Sequence, residues 1–266
     1  MPVYNGEKYV AKALDSLLAQ TFSDYELIIS DDDSTDRTEA ICREYASRDS
    51  RVRYLRQPRN AGAVKNFRFV LNEACGEYFM WASHDDLWST TFIERLAKLL
   101  DADPNCSLAF SDYRIKNLQG EGEIKICVSS ATSKSPLVRY LARVLDAQPA
   151  LIFGLFRRRL ANSEDLRLFD WFEVNFSILM ALRGNIRIVN EYLFTWGIDR
   201  RRKSKNWSDS GKSITYIRFY LSQVRLMLTR FSVLKVCAPL FILTYLIFAK
   251  WIQRRFNPAI SDIDFE

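Results

Sequence analysis

The sequence predicts an α/β protein with a mostly parallel sheet and helices on both faces. Two observations carry that prediction. Short β-rich runs alternate with amphipathic helical patterns from the first residues to about Asp112. Two acidic clusters, Asp31-Asp32-Asp33 and Asp85-Asp86, each follow directly on such a run. Loops at the carboxyl ends of parallel strands share one rim, and that rim is where open α/β sheets bind ligands. Like charges converging there call for a cation or for donors on a ligand.

The elements follow in order. Met1 to Glu7 is a turn-rich opening, and Val10, Leu14, Leu17 and Leu18 then mark one face of a helix. Tyr25 to Ser30 (YELIIS) reads as a strand that runs into Asp31–Asp36, with a second helix to about Ala46. Arg51 to Gln57 alternates as a strand does, and Asn60-Ala-Gly62 is a turn. Val64, Phe67, Val70 and Leu71 mark a third helix, with Gly76 as its expected C-terminal stop. The aromatic-rich run Tyr78–Ala82 reads as a buried strand ending at Ser83-His84-Asp85-Asp86. A helix from about Thr90 to Asp101, stopped by Asp103-Pro104, leads to another buried strand, Ser107–Asp112.

A hydrophobic fraction of 48% with 14% aromatics is ample for a core and excludes a disordered chain. Charge is unevenly spread: residues 1–156 carry 19 Lys/Arg against 22 Asp/Glu, and residues 157–255 carry 19 against 7. The basic second half points to a polyanionic partner such as phosphates or an anionic membrane surface. Five scattered cysteines without a CxxC pair, and a single histidine, His84, exclude the usual zinc spacings and suit a reducing, cytoplasmic compartment. A nucleic-acid binder is disfavoured, because the aromatics follow core patterns and do not line the basic stretches.

Pro2-Val-Tyr-Asn-Gly-Glu7, Ile28-Ile-Ser-Asp-Asp-Asp-Ser-Thr-Asp36, Asn60-Ala-Gly62 and Gly76-Glu-Tyr78 with His84-Asp-Asp86 occur in this order. Together they resemble the family 2 glycosyltransferases with the GT-A fold, a Rossmann-like α/β architecture. The likeness covers residues 1 to about 115 strongly and extends more loosely to about 196. It implies sugar transfer from a nucleotide-diphospho-sugar, usually with inversion and with Mg²⁺ or Mn²⁺, to a saccharide or lipid-linked saccharide in cell-surface polysaccharide synthesis. Tyr4, Asn5 and Glu7 match the first nucleotide-contacting segment, and Asp31 and Asp32 match the acids that meet the base and ribose. Lys65 is placed to offer charge to the diphosphate. Asp85 matches the last acid of the DXD motif, and Asp86 is a further candidate metal ligand. Ser83 stands where the motif has its first acid, so metal binding rests on Asp85, Asp86, phosphate oxygens and water. The resemblance also implies a buried strand ahead of Pro2, so the first strand is expected to be missing from the sheet.

In the second half, residues 113–135 read as a loop or hairpin, 136–146 as a helix and Pro149–Phe156 as a strand. Asp170 and Glu173 both precede or open an apolar helix running to Gly184. An inverting transferase needs a carboxylate that takes the acceptor hydroxyl's proton. The resemblance places that base here, and both acids remain candidates. Asn185–Val189 and Tyr192–Trp196 read as terminal strands, followed by the basic stretch Asp199–Lys205, which resembles the family's flexible donor-covering loop. Ile214–Leu228 has amphipathic character. Val236–Ala249 is an apolar run with basic flanks, shorter than the roughly 20 residues of a spanning helix. It fits an anchor at the cytoplasmic face of a membrane, interfacial or short spanning, or else a soluble packing helix. The expected organisation is a nucleotide-sugar half (1–115), an acceptor half (116–212) and a C-terminal helical segment (213–266). Two rivals stand beside the transferase. A nucleotidyltransferase wants a Gly-rich phosphate loop near the first strand, and none is present. A membrane-bound partner without turnover is favoured by Ser83 and the missing strand.

Overall fold

The computed structural model describes residues 1–118, 122–146, 148–163, 166 and 172–198, which belong to one compact unit. Asp170 and the segment 199–266, with its basic stretch and apolar run, lie outside the described residues. Three parallel strands open the chain: β1 (Pro2–Val3), β2 (Leu27–Asp31) and β3 (Val52–Arg56), in the order β1-β2-β3. Helix α1 (Val10–Leu18) follows β1 and α2 (Thr38–Arg48) follows β2. All five residues of β2 are buried, which is why its sequence is a continuous apolar run closed by an acid. The first strand is therefore present as two residues, Pro2 and Val3, opposite Ser30 and Asp31.

The α-amino group of Met1 is buried and donates to the Ile28 carbonyl at 2.6 Å. Burial pushes its pKa down to about 5. The unfolded chain thus binds this proton at higher pH than the folded one does. Protein carrying a free amino group at Met1 is expected to lose stability as pH falls from 8 through 5, by up to about 4 kcal/mol. Urea midpoints across that range check this, and an acetylated amino terminus should flatten the slope.

Helix α3 (Ala63–Glu73) leads to a second sheet. In chain order its parts are β4 (Tyr78–Phe79), β5 (Leu87–Trp88), α4 (Phe92–Ala102), β6 (Cys106–Asn117), β7 (Glu123–Ile126), α5 (Pro136–Leu145), β8 (Leu155–Arg157), α6 (Phe172–Arg183) and β9 (Asn185–Ile198). The strand order is β4-β8-β6-β9-β5, with β7 paired to β6. Among the described residues, only the β6–β9 pairing in this sheet is parallel. The parallel pattern expected from the sequence thus describes the first half, and the second half is mixed. Short strands such as β4 and β8 carry too few residues to reveal direction in a sequence.

Three local expectations are corrected. The chain leaves α3 at Ala74 in extended conformation, so Gly76 is not a left-handed stop. Pro149–Phe153 forms a buried 3-10 turn ahead of β8, because an apolar run alone does not separate strand from buried turn. The two expected terminal strands are one, β9, whose register against β6 shifts between Val189 and Tyr192.

Aromatic packing sets the position of α6. Trp81 is fully buried, donates its indole N–H to the Phe67 carbonyl at 3.0 Å, and meets Phe176 of α6 edge-on at 4.9 Å. Phe172, the first residue of α6, meets Phe67 of α3 edge-on at 5.2 Å. Such ring pairs add about 0.5–1.5 kcal/mol each beyond area burial. They hold the start of α6 against α3 and against the run that leads to Ser83.

Candidate active site

The site is built from loops that leave β1, β2, β3 and β4. The first two are laced together. The Asn5 amide donates to Ser34 Oγ at 3.0 Å, and Asn5 Oδ1 accepts from the Thr35 amide at 2.9 Å. The Gly6 amide donates to Thr38 Oγ1 at 2.8 Å, the Glu7 amide to Asp36 Oδ2 at 3.1 Å, and the Arg37 amide to Glu7 Oε2 at 3.1 Å. Asn5 and Asp33 both take left-handed backbone angles, φ 50° and 63°, which their short polar side chains tolerate. This lacing leaves Tyr4 41% exposed at the rim. Sequence reading missed Ser34, Asp36 and Thr38 as the bracing groups, although they stand within the acidic run or just beyond it.

Asp31 and Asp32 sit at the end of β2, and both are buried. Asp31 Oδ1 accepts from the Ser34 amide at 2.8 Å, and Oδ2 accepts from the Tyr54 hydroxyl at 2.7 Å. Burial and the Asp31 carboxylate push the Tyr54 phenol up, so it stays a donor. Arg56 pairs with Asp33 at 2.7 Å and Glu39 at 2.6 Å and lies 3.7 Å from Asp31. Asp31 is fully buried, its carboxylate held by Ser34 of its own loop and Tyr54 of the neighbouring strand. Asp32 accepts from the amides of Ala61 and Gly62, at 2.8 and 2.9 Å, and so holds the loop after β3. That loop is mostly exposed and opens α3 at Gly62, φ 89°. Lys65 is exposed in the first turn of α3.

The loop after β4 meets the first loop directly. A methyl group at Gly6 would lie 2.7 Å from His84 Cδ2, so the absence of a side chain there lets the buried imidazole lie against the Asn5–Glu7 turn. Burial alternates from Ala82 to Trp88: Ser83, Asp85 and Leu87 are half-buried, and the residues between them are buried. The Ser83 hydroxyl donates to Asp85 Oδ1. Asp86 is fully buried, accepts from the Gly197 amide at 2.9 Å, and has no hydrogen-bond partner for Oδ2 among the described residues. Burial, with the Asp85 charge beside it, holds Asp86 well above the usual carboxylate range.

These residues fit a divalent cation in one way. No group of three His, Cys, Asp or Glu placed to hold a metal ion occurs among the described residues. The expected second metal ligand, Asp86, shows no accessible surface in this structure. One carboxylate, Asp85, supported by the Ser83 hydroxyl, is therefore what this loop offers. That matches a hard cation completed by substrate phosphates and water.

Glu173 lies half-buried in the first turn of α6, next in sequence to Phe172, whose ring meets Phe67 of α3. Burial pushes its carboxyl group up, and the amide at the helix start offsets part of that. A cavity of about 520 Å³ opens elsewhere, lined by Leu71, Asn72, Arg158, Arg159 and Arg183 among others. It lies at the C-terminal end of α3, away from the Asp32–Gly62 end.

The α/β fold is that of the GT-A glycosyltransferases, as likeness to solved structures shows. Staphylococcus aureus TarS 1-349 in complex with UDP-GlcNAc matches with a TM-score of 0.63 at 20% identity, covering 85% of this chain and 65% of that one. The mannosyltransferase PcManGT of Pyrobaculum calidifontis, in complex with GDP-Man and Mn²⁺, matches at 0.57 and 16% identity, covering 84% and 62%. The family model described as glycosyl transferase family 2 matches residues 1–147, and the chain belongs to that family. An uncharacterized glycosyltransferase of Rickettsia typhi is 30% identical over 188 residues, 65% of this chain and 56% of the relative. Glycosyltransferase GlyA of Streptococcus pneumoniae is 37% identical over 113 residues, 42% of this chain and 16% of that protein. The chain thus spans about half the length, or less, of the curated relatives it matches.

Proposed function

We propose that this protein transfers a sugar, with inversion and metal assistance, from a nucleotide-diphospho-sugar to a saccharide or lipid-linked saccharide. The observation that carries the reading is the meeting of four loops at one rim: Asn5 on Ser34, Gly6 on His84, and Asp32 on Ala61 and Gly62. The nucleoside falls to Tyr4, Asn5, Glu7, Asp31 and Asp32. Asp32 can serve because its partners belong to an exposed loop that can yield. Lys65 faces the diphosphate, and Asp85 holds the metal, Mg²⁺ or Mn²⁺, that screens it. The metal, when bound, neutralises charge on the departing diphosphate. Glu173 takes the proton of the acceptor hydroxyl as that oxygen bonds to the anomeric carbon and the carbon–diphosphate oxygen bond breaks. Asp170 is the alternative base.

Among the described residues no helix is long and apolar enough to cross a membrane. Attachment to the cytoplasmic face through the segment 213–266 belongs to the same proposal, as does a place in cell-surface polysaccharide synthesis. Ser83, in place of an acid, favours the rival reading of a donor-binding partner without turnover.

Thermal denaturation with a panel of nucleoside diphosphates and their sugars, with and without Mn²⁺, tests the donor site. A metal-dependent rise in midpoint for one base is expected; at 100 times the Kd the gain is about 2.7 kcal/mol. No rise with any base, on folded protein, would contradict the reading. Release of free sugar or glycosylated acceptor from the stabilising donor separates the enzyme from the partner without turnover.

A further inference from the structure

The Asp86 carboxyl group is hard to explain by stability alone. It is fully buried, one oxygen has no partner among the described residues, and its neighbour Asp85 is also acidic. An unsatisfied buried polar group of this kind is destabilising. Its bond to the Gly197 amide spans 111 residues of sequence, joining the Ser83–Asp86 loop to the end of β9. The same point of β9 comes still closer from its other side. A methyl group at Gly197 would lie 2.1 Å from the Asp85 carbonyl oxygen, a separation no side chain permits. The loop is therefore held against β9 at two successive residues, through the side chain of Asp86 and the backbone of Asp85.

We propose that Asp86 and Gly197 form a latch that positions Asp85. The Asp86 carboxyl group grips the Gly197 N–H, and the bare α-carbon at 197 lets the Asp85 carbonyl seat against the strand. With the backbone pinned on this side and His84 packed on Gly6 on the other, the Asp85 side chain is left to face the rim with Ser83. Asp86 is thus a positioning residue, acting through Asp85 and touching no reacting atom. The inference rests on the reading of Asp85 as the metal-bearing acid.

The test uses the full chain and three variants: Asp86→Ala, Asp86→Asn and Gly197→Ala. Mn²⁺ binding in the presence of UDP or GDP is measured by calorimetry, with thermal midpoints on the same samples and kcat and KM where transfer is detected. Asp86→Ala and Gly197→Ala are each expected to weaken Mn²⁺ binding by about 10-fold or more, as loss of groups that orient a metal ligand does. Asp86→Asn keeps an oxygen that accepts from Gly197 and should stay within about threefold of the parent in Mn²⁺ affinity. The double variant Asp86→Ala with Gly197→Ala should lose less than the sum of the single losses, since both break one device. Parent-like Mn²⁺ affinity in folded Gly197→Ala overturns the latch, and so does equal damage by Asp86→Asn and Asp86→Ala. A parent protein that binds no nucleoside diphosphate of the panel with Mn²⁺ overturns the donor-site reading itself, a result distinct from failure of the latch.

Discussion

Asp85→Asn is expected to lower sugar transfer on the order of 10²- to 10³-fold, the scale seen when one preorganised electrostatic group is removed from a transition state. The fold should survive. The substituted amide would still offer an oxygen to the Ser83 hydroxyl, and the side chain at this position is only half-buried. Stability should if anything rise at neutral pH, because the Asp85 charge is one of the two causes that hold the Asp86 carboxyl group above its usual range. Removing that charge relieves a repulsion inside the loop. Activity and stability are thus predicted to move in opposite directions, which a merely structural role for Asp85 does not produce. Steady-state transfer, Mn²⁺ titration and the thermal midpoint on one preparation check the set. Undiminished transfer by the asparagine variant would end the metal role of Asp85.

The first half of the fold was legible because its signals are local. A buried strand closed by acids, as in Leu27–Asp32, announces both a parallel sheet and the rim that binds ligands. The contact between the loops was not legible, because it depends on absent side chains at Gly6 and Gly197 that meet residues 78 and 112 positions away. The bracing of Asp31 was hidden for a similar reason: its partner Tyr54 comes from the next strand of the sheet, 23 residues on. Two adjacent acids look alike in a sequence, yet the alternation from Ala82 to Trp88 sends Asp85 outward and Asp86 inward. That parity was present in the sequence, but a turn at this point gives no assurance that alternation persists. The mixed second sheet was hidden because β4 and β8 are two and three residues long, too short for a pattern.

Glu173→Gln is expected to reduce transfer by about 10²- to 10⁴-fold, the usual contribution of a positioned general base. The pH dependence gives the sharper signature. A base works in its deprotonated form, so the rate should rise with pH through the pKa of Glu173. Burial raises that pKa, so the acid limb should lie above the ordinary glutamate range. The glutamine variant should lack this limb. The stability sign is opposite to that of a salt-bridged carboxylate. A carboxyl group whose folded pKa is raised favours the folded state at low pH, and that contribution is lost as pH rises through the folded value. Replacing it with glutamine should therefore leave the protein at least as stable at pH 7 while transfer collapses. Donor binding should be unchanged, because the base meets the acceptor hydroxyl and not the nucleotide. Full transfer by Glu173→Gln, with collapse in Asp170→Asn, would move the role to Asp170. Loss of the acid limb in Glu173→Gln alone would fix the base at the start of α6, where the Phe172–Phe67 contact holds it beside the donor-binding half.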